Sequence, residues 1–248
     1  MDCGYLVFPD TPYHTYGYMG LKTFKEQLET DLQYDREISQ FSILTKDTHE
    51  IRILGTVDFK NVYLFQAKNP NGVLVTAGWQ GDEPAGWEAC RVLCKEAPEC
   101  SFIPFVSPYC FISKQHRNHD GQNVDRKWPN PVTPEGKILK NNMHDLLLLG
   151  KECLLSLQED PHRPFSYLYS WNASTNIKSA TKQTMSDYFP LLENGIKEPP
   201  AQDMFANYFV KSGGKMAIQL ETPADGTRTV AMRTACQVDC CKTILALI

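Results

Sequence analysis

The chain has 248 residues, of which 42% are hydrophobic and 22% charged, a balance that buries a sizeable core and excludes a disordered, collagen-like or coiled-coil protein. Its 25 Lys and Arg against 29 Asp and Glu give a net charge of −4, so no global positive field draws phosphate backbones and nucleic-acid binding is not expected. The nine cysteines are odd in number and lack CxxC spacing, which speaks against a zinc ribbon or a complete disulfide framework.

Taken in chain order, an opening segment rich in aromatics and turn formers leads into a first helix over 21–32, with Leu21, Phe24, Leu28 and Leu32 at helical spacing. Ile51 to Leu54 and Val62 to Phe65 read as short strands on either side of a turn. After the turn Asn69-Pro70-Asn71-Gly72, the continuous apolar run Val73 to Ala77 has the character of a buried central strand. It ends in Gly78-Trp79-Gln80-Gly81-Asp82-Glu83-Pro84-Ala85-Gly86, a glycine-rich turn before a helix that starts near Trp87. Open α/β sheets place ligands at such strand ends. Cys90 and Cys94, at i and i+4 on that helix, are small core residues.

Phe102 to Val106 is a second apolar strand, and the polar stretch 113–134 is a long loop of the kind that usually carries function. A helix running into a strand follows over 139–157, with Met143, Leu146, Leu147 and Gly150 on the inner face. Then come an aromatic strand over 165–171, a polar irregular stretch over 173–200, a short helix over 204–210, a strand over 216–220 ending at Glu221, and a terminal helix over 229–247. No repeat or linker interrupts the chain, and one domain over 1–248 is expected. No apolar run approaches the ~18 residues of a membrane span, and the first residues carry neither the basic nor the apolar region of a secretory leader. A cytoplasmic protein with reduced thiols and no membrane partner is the expectation.

Several segments together resemble the zinc carboxypeptidase family of the carboxypeptidase A type, which includes cell-wall peptide carboxypeptidases and related acyl-amino-acid deacylases. Gln80 to Gly86 is similar to the H-G-x-E-P-x-G element that supplies two zinc ligands, and Gly121 to Pro129 to the G-x-D-L-N-R-N-F-P substrate loop. Leu220-Glu221-Thr222-Pro223 is similar to the E-T-P that presents the general base, and Leu157-Gln158-Glu159-Asp160 with Tyr167-Leu168-Tyr169 to the L-H-E-D…Y-x-Y element of the third zinc ligand. The match covers roughly residues 50 to 248.

The resemblance implies an α/β fold with a twisted mixed β-sheet of about eight strands flanked by helices on both faces. It also implies zinc held by Gln80, Glu83 and Gln158, with Glu221 taking a proton from water. Arg126, with Asp125 and Arg117 beside it, would bind the carboxylate of a peptide or acyl-amino-acid substrate. A hydrolytic zinc needs about three protein ligands and one open position. Glutamine stands where the family has both histidines, and Asp125 where it has asparagine. An amide oxygen is a poorer zinc donor than imidazole. Three functions therefore stay open: a zinc-dependent carboxypeptidase or amidase, with cell-wall peptides (peptidoglycan fragments) as the favoured substrate; a degenerate, inactive member that binds a peptide or acyl amino acid; or a structural protein that uses the fold as a scaffold.

Each residue also has a plainer reading. Gln80 and Glu83 can also be read as a polar turn capping the next helix, and Gln158 as a strand-end amide. Glu221 reads as a buried carboxylate paired with Arg228 or Arg233. His162 is a rival ligand on an exposed turn; His116 and His119 have a His-x-x-His spacing that could bind metal on a helix, but Asn118, Asp120 and Gly121 argue for a loop whose histidines line the cleft; Tyr188 and Tyr208 are packed.

Overall fold

The computed structural model describes residues 21–197 and 202–248. Its centre is one eight-stranded mixed sheet: β1 (His49–Val57), β2 (Lys60–Ala67), β3 (Val73–Thr76), β4 (Ser101–Ile103), β5 (Cys153–Asp160), β6 (Ser166–Trp171), β7 (Leu191–Ile196) and β8 (Ala217–Pro223), in the spatial order β1-β2-β4-β3-β5-β8-β6-β7. The four middle strands, β4, β3, β5 and β8, run parallel. Parallel strands are covered on both faces, and here every residue of β3 and of β8 is buried.

The alternation of side chains along each strand sorts this apolar sequence into two layers. Val73, Val75, Leu155, Ile218 and Leu220 face one core with α1 (Leu21–Thr45), α2 (Pro84–Glu96), α6 (Thr175–Ser186) and α8 (Val230–Leu245). Leu74, Leu154, Tyr167, Tyr169 and Ala217 face the other, with α4 (Pro134–Asn141), α5 (Met143–Leu149) and α7 (Phe205–Lys211). The short α3 (Pro108–Ser113) packs beside α1 and β2. The expected mixed sheet flanked by helices is observed. No helix among the described residues is long and apolar enough to cross a membrane.

Three expectations are corrected. The first helix runs on to Thr45, because Tyr34, Ile38, Phe41 and Thr45, at helical spacing, form its buried stripe, whereas Leu32 is exposed. The stretch 173–200 is not irregular: it contains α6 and β7. The Ser174 hydroxyl caps α6 by accepting from the Ile177 N–H at 3.3 Å, and Ile177, Thr181 and Met185 give this polar sequence one buried edge. The continuous segment over 139–157 divides at Asn142, whose amide donates back to the Ile138 carbonyl at 2.9 Å and ends α4.

The connection after β3 runs to β4 on one side, and the chain returns to β5 on the other side of β3. This is a topological switch point, and the loop 77–83 lies over it. Gly81 sits at a close approach there. Its N–H donates to the Gln115 carbonyl at 2.8 Å, and a Cβ on it would lie 1.6 Å from the Cys110 carbonyl oxygen. Gly81→Ala is therefore expected to cost about 1–3 kcal/mol through overpacking against backbone. Urea denaturation measures it, and an unchanged midpoint would contradict this contact.

Candidate active site

A cavity of about 310 Å³ opens at the carboxyl edge of the parallel strands, lined by Gln80, Glu83, Gln158 and Glu221 with Arg126 and His116 from the long loop. Four chain segments far apart in sequence thus meet. Parallel pairing sets the innermost pair: Gln158 on β5 lies directly opposite Glu221 on β8.

Glu83 occupies the N-cap position of α2 yet makes no capping hydrogen bond with its side chain. That role falls to Glu159, whose Oε2 accepts from the Ala85 N–H at 2.8 Å. The Glu83 carboxylate instead accepts from the Glu159 N–H at 3.2 Å through Oε2, while its Oε1 lies 3.6 Å from His116 Nδ1. The helix-capping alternative is thereby excluded for Glu83. Burial pushes its carboxyl well above the usual range, and the charges of Glu221, Glu159 and Asp82 push it further. Gln80 is buried, donates to Asn123 Oδ1 at 3.3 Å, and leaves its amide oxygen buried without a partner. An orphaned buried acceptor is costly unless a ligand completes it.

Gln158 donates to Asp125 Oδ2 at 3.1 Å and to Ser156 Oγ at 3.2 Å. Its amide nitrogen is thus committed inward. Asp125 is buried beneath the cavity and does not line it. Its other oxygen accepts from the Phe205 N–H at 3.0 Å, so this carboxylate ties the start of α7 to β5. Burial raises it to about 6, against the opposing pull of Arg126 and these hydrogen bonds. Arg126 Nη1 lies 3.8 Å from Asp125 Oδ2, is shielded from solvent and makes no hydrogen bond. Arg117 stands outside the cavity, exposed, and donates to the Gly121 carbonyl at 3.1 Å.

The carboxylate of Glu221 accepts from Gln219 Nε2 at 2.7 Å. The ion pair expected with Arg228 or Arg233 is not formed. Arg228 is exposed, and Arg233 Nε lies 2.8 Å from Glu159 Oε1 in a pair that is almost wholly buried. Strand alternation explains the choice, since Glu159 turns to the face that α8 covers while Gln158 turns to the opposite one. Burial raises Glu221 to about 8, with the Gln219 hydrogen bond opposing the shift. Burial likewise raises Glu159 to about 7, opposed by Arg233.

Of the histidines, His116 and His162 line the cavity. His119 is exposed beside Asp120. Tyr208 stacks on Trp128 with ring centroids 5.1 Å apart, and Tyr188 donates to Asp239; both are packed as expected. Lys197, Arg163 and Tyr167 complete the rim, with the Tyr167 hydroxyl donating to Asp160 at 2.7 Å. Gln219, Lys197 and Arg163 carry no motif signal in the sequence, and Glu159 is marked only by its place in the Leu157–Asp160 segment.

Glu221, Glu159 and Asp125 all hold their protons more tightly in the fold than in the unfolded chain, where a glutamate titrates near 4.5. The stability this contributes is full below the ordinary carboxyl range and is lost as pH rises through about 6 to 8. With a chelator present, the melting temperature is expected to fall between pH 5 and 9, and Glu221→Gln to flatten the upper part of that fall. A profile that rises over this range would contradict the assignment.

No protein-family model matches the chain, and no curated protein matches it significantly. Solved structures do match. A candidate metallopeptidase from Shewanella amazonensis superposes with a TM-score of 0.78 at 23% identity, covering 88% of this chain and 93% of the other. Another from Shewanella baltica gives 0.78 at 23%, covering 88% and 92%. A metallo-carboxypeptidase from Burkholderia cenocepacia gives 0.70 at 15%, covering 86% and 68%. At these identities the likeness is one of fold: the chain has the mixed-sheet α/β fold of these metallopeptidase structures.

Proposed function

We propose that this protein is a metal-dependent hydrolase of a peptide or amide bond next to a free carboxylate. The observation that carries the reading is the convergence, in one cavity, of a buried carboxylate at Glu83, an unpartnered amide oxygen at Gln80, a second buried carboxylate at Glu221 and a guanidinium nitrogen at Arg126 that makes no hydrogen bond. The metal-bearing names of the fold neighbours support it.

The residues fit a divalent cation. Glu83 supplies an anionic oxygen, Gln80 supplies an unpartnered amide oxygen, and the clustered carboxylates need a positive charge that the cavity supplies only in part. Zinc is the ion the resemblance implies. When bound, it would acidify a water and polarise the scissile carbonyl. Glu221 then takes the water's proton and returns it to the leaving nitrogen. Its raised proton affinity suits both halves of that task. Gln219 holds the carboxylate in place. Arg126 anchors the substrate's carboxylate, and Lys197 and Arg163 add positive charge at the mouth. Cell-wall peptides are the first substrate class to test, with acyl amino acids second.

One observation favours a second reading, a binder without turnover: both ligand positions that would be imidazoles are amides, and the Gln158 amide nitrogen is bound to Asp125.

Release of an amino acid from a peptide panel, with zinc added and then chelated, separates the two. The hydrolase reading expects chelator-sensitive release. Glu221→Gln should lower kcat by about 10²–10⁴, and Arg126→Ala should act mainly on KM. Peptide binding without release at any zinc level would establish the binder instead.

A further inference from the structure

Among the described residues, one group of carboxylates and imidazole is compact enough to hold a metal ion: Asp82, Glu83 and His116, whose ligand atoms all lie within 4.8 Å of one another. His116 Nδ1 is 3.3 Å from Asp82 Oδ1 and 3.6 Å from Glu83 Oε1. The backbone delivers the imidazole there. Lys114 ends α3 in the left-handed conformation, at φ 56°. Gln115 then accepts the Gly81 N–H at 2.8 Å, so the next residue, His116, is pinned against the two acids that follow Gly81. The absence of a Cβ at Gly81 permits this approach.

A second observation points to a ligand at the same place. The amide oxygen of Gln80, a residue only 2% exposed, is buried without a hydrogen-bond partner and lines the cavity beside Glu83 and His116. Gln158, by contrast, has its amide nitrogen engaged by Asp125 and Ser156.

We infer that Asp82, Glu83 and His116, with the amide oxygen of Gln80, form the divalent-metal site of this protein. The imidazole comes from the loop after α3 and not from β5. One imidazole with two carboxylates and a neutral oxygen is a donor set that zinc accepts. Gln158 and Glu221, which face each other across β5 and β8, are left to position substrate and water. The inference rests on the reading that the cavity takes a metal.

The test titrates zinc into the full chain, stripped with chelator, by calorimetry, and records the visible spectrum of the cobalt-loaded protein. One equivalent is expected to bind. His116→Ala should weaken binding by about 10² or more and change the cobalt spectrum, since even outer-shell substitutions cost about 10–100-fold. Asp82→Asn, nearly isosteric and on a half-exposed side chain, should weaken it without unfolding the protein. Gln158→Ala should leave it unchanged. Circular dichroism checks the fold of each variant. If His116→Ala and Asp82→Asn bind zinc as the parent does while Gln158→Ala does not, this assignment is overturned and the metal-dependent reading stands. If the parent binds no zinc and His116 serves only as an ion-pair partner of Asp82, both fall.

Discussion

The register of β5 against β8 sets Gln158 opposite Glu221, and every other part of the site is arranged around that pair. Two adjacent parallel strands end at the same level, so their last inward side chains share one small volume at the carboxyl edge. The third contributor, the turn after β3, reaches the same edge because β3 pairs with β5 on its other side. Such a layout needs an apolar middle to each strand and a polar end. In β5 the change comes after Leu157, and in β8 after Leu220.

The electrostatic consequence is a concentration of buried carboxylates where little water remains. Glu159 is neutralised by Arg233 and caps α2. Asp125 spends both oxygens on structural hydrogen bonds. Glu83 and Glu221 remain without a fixed cation of comparable burial; burial raises the proton affinity of both, the charge of Glu221 adding to it at Glu83 and those of Asp160 and Asp125 at Glu221. Removing water around like charges raises their energy unless a cation or a proton intervenes. A cation or a proton held in this cavity would relieve that repulsion.

Much of the fold was legible because period and punctuation agreed. Val73 to Ala77 announced a buried strand by its apolar run, Met216 to Leu220 a late strand, and the glycine-rich turn with Pro84 the following helix. The continuation of α1 was missed because its buried stripe of Tyr34, Ile38, Phe41 and Thr45 is spread through a polar sequence. For α6, only Ile177, Thr181 and Met185 are buried among charged and hydroxyl residues. In both helices tertiary packing, and not local propensity, supplies the stability.

The sequence by itself determined the sheet's central strands, the segment order and the membership of Gln80, Glu83, Arg126, Gln158 and Glu221 in one candidate set. The strands depend on local periodicity along the chain, and the residue set on the resemblance of its motifs to those of the zinc carboxypeptidases. Only the tertiary structure decided the partners. Arg233 went to Glu159 and not Glu221, Asp125 went beneath the cavity and not into it, and His116 came to rest beside Asp82 and Glu83. Such pairings turn on which face of a strand a residue takes and on how closely two loops approach. At Gly81 that approach is fixed by the absence of a side chain, a contact between segments that no spacing within either one records.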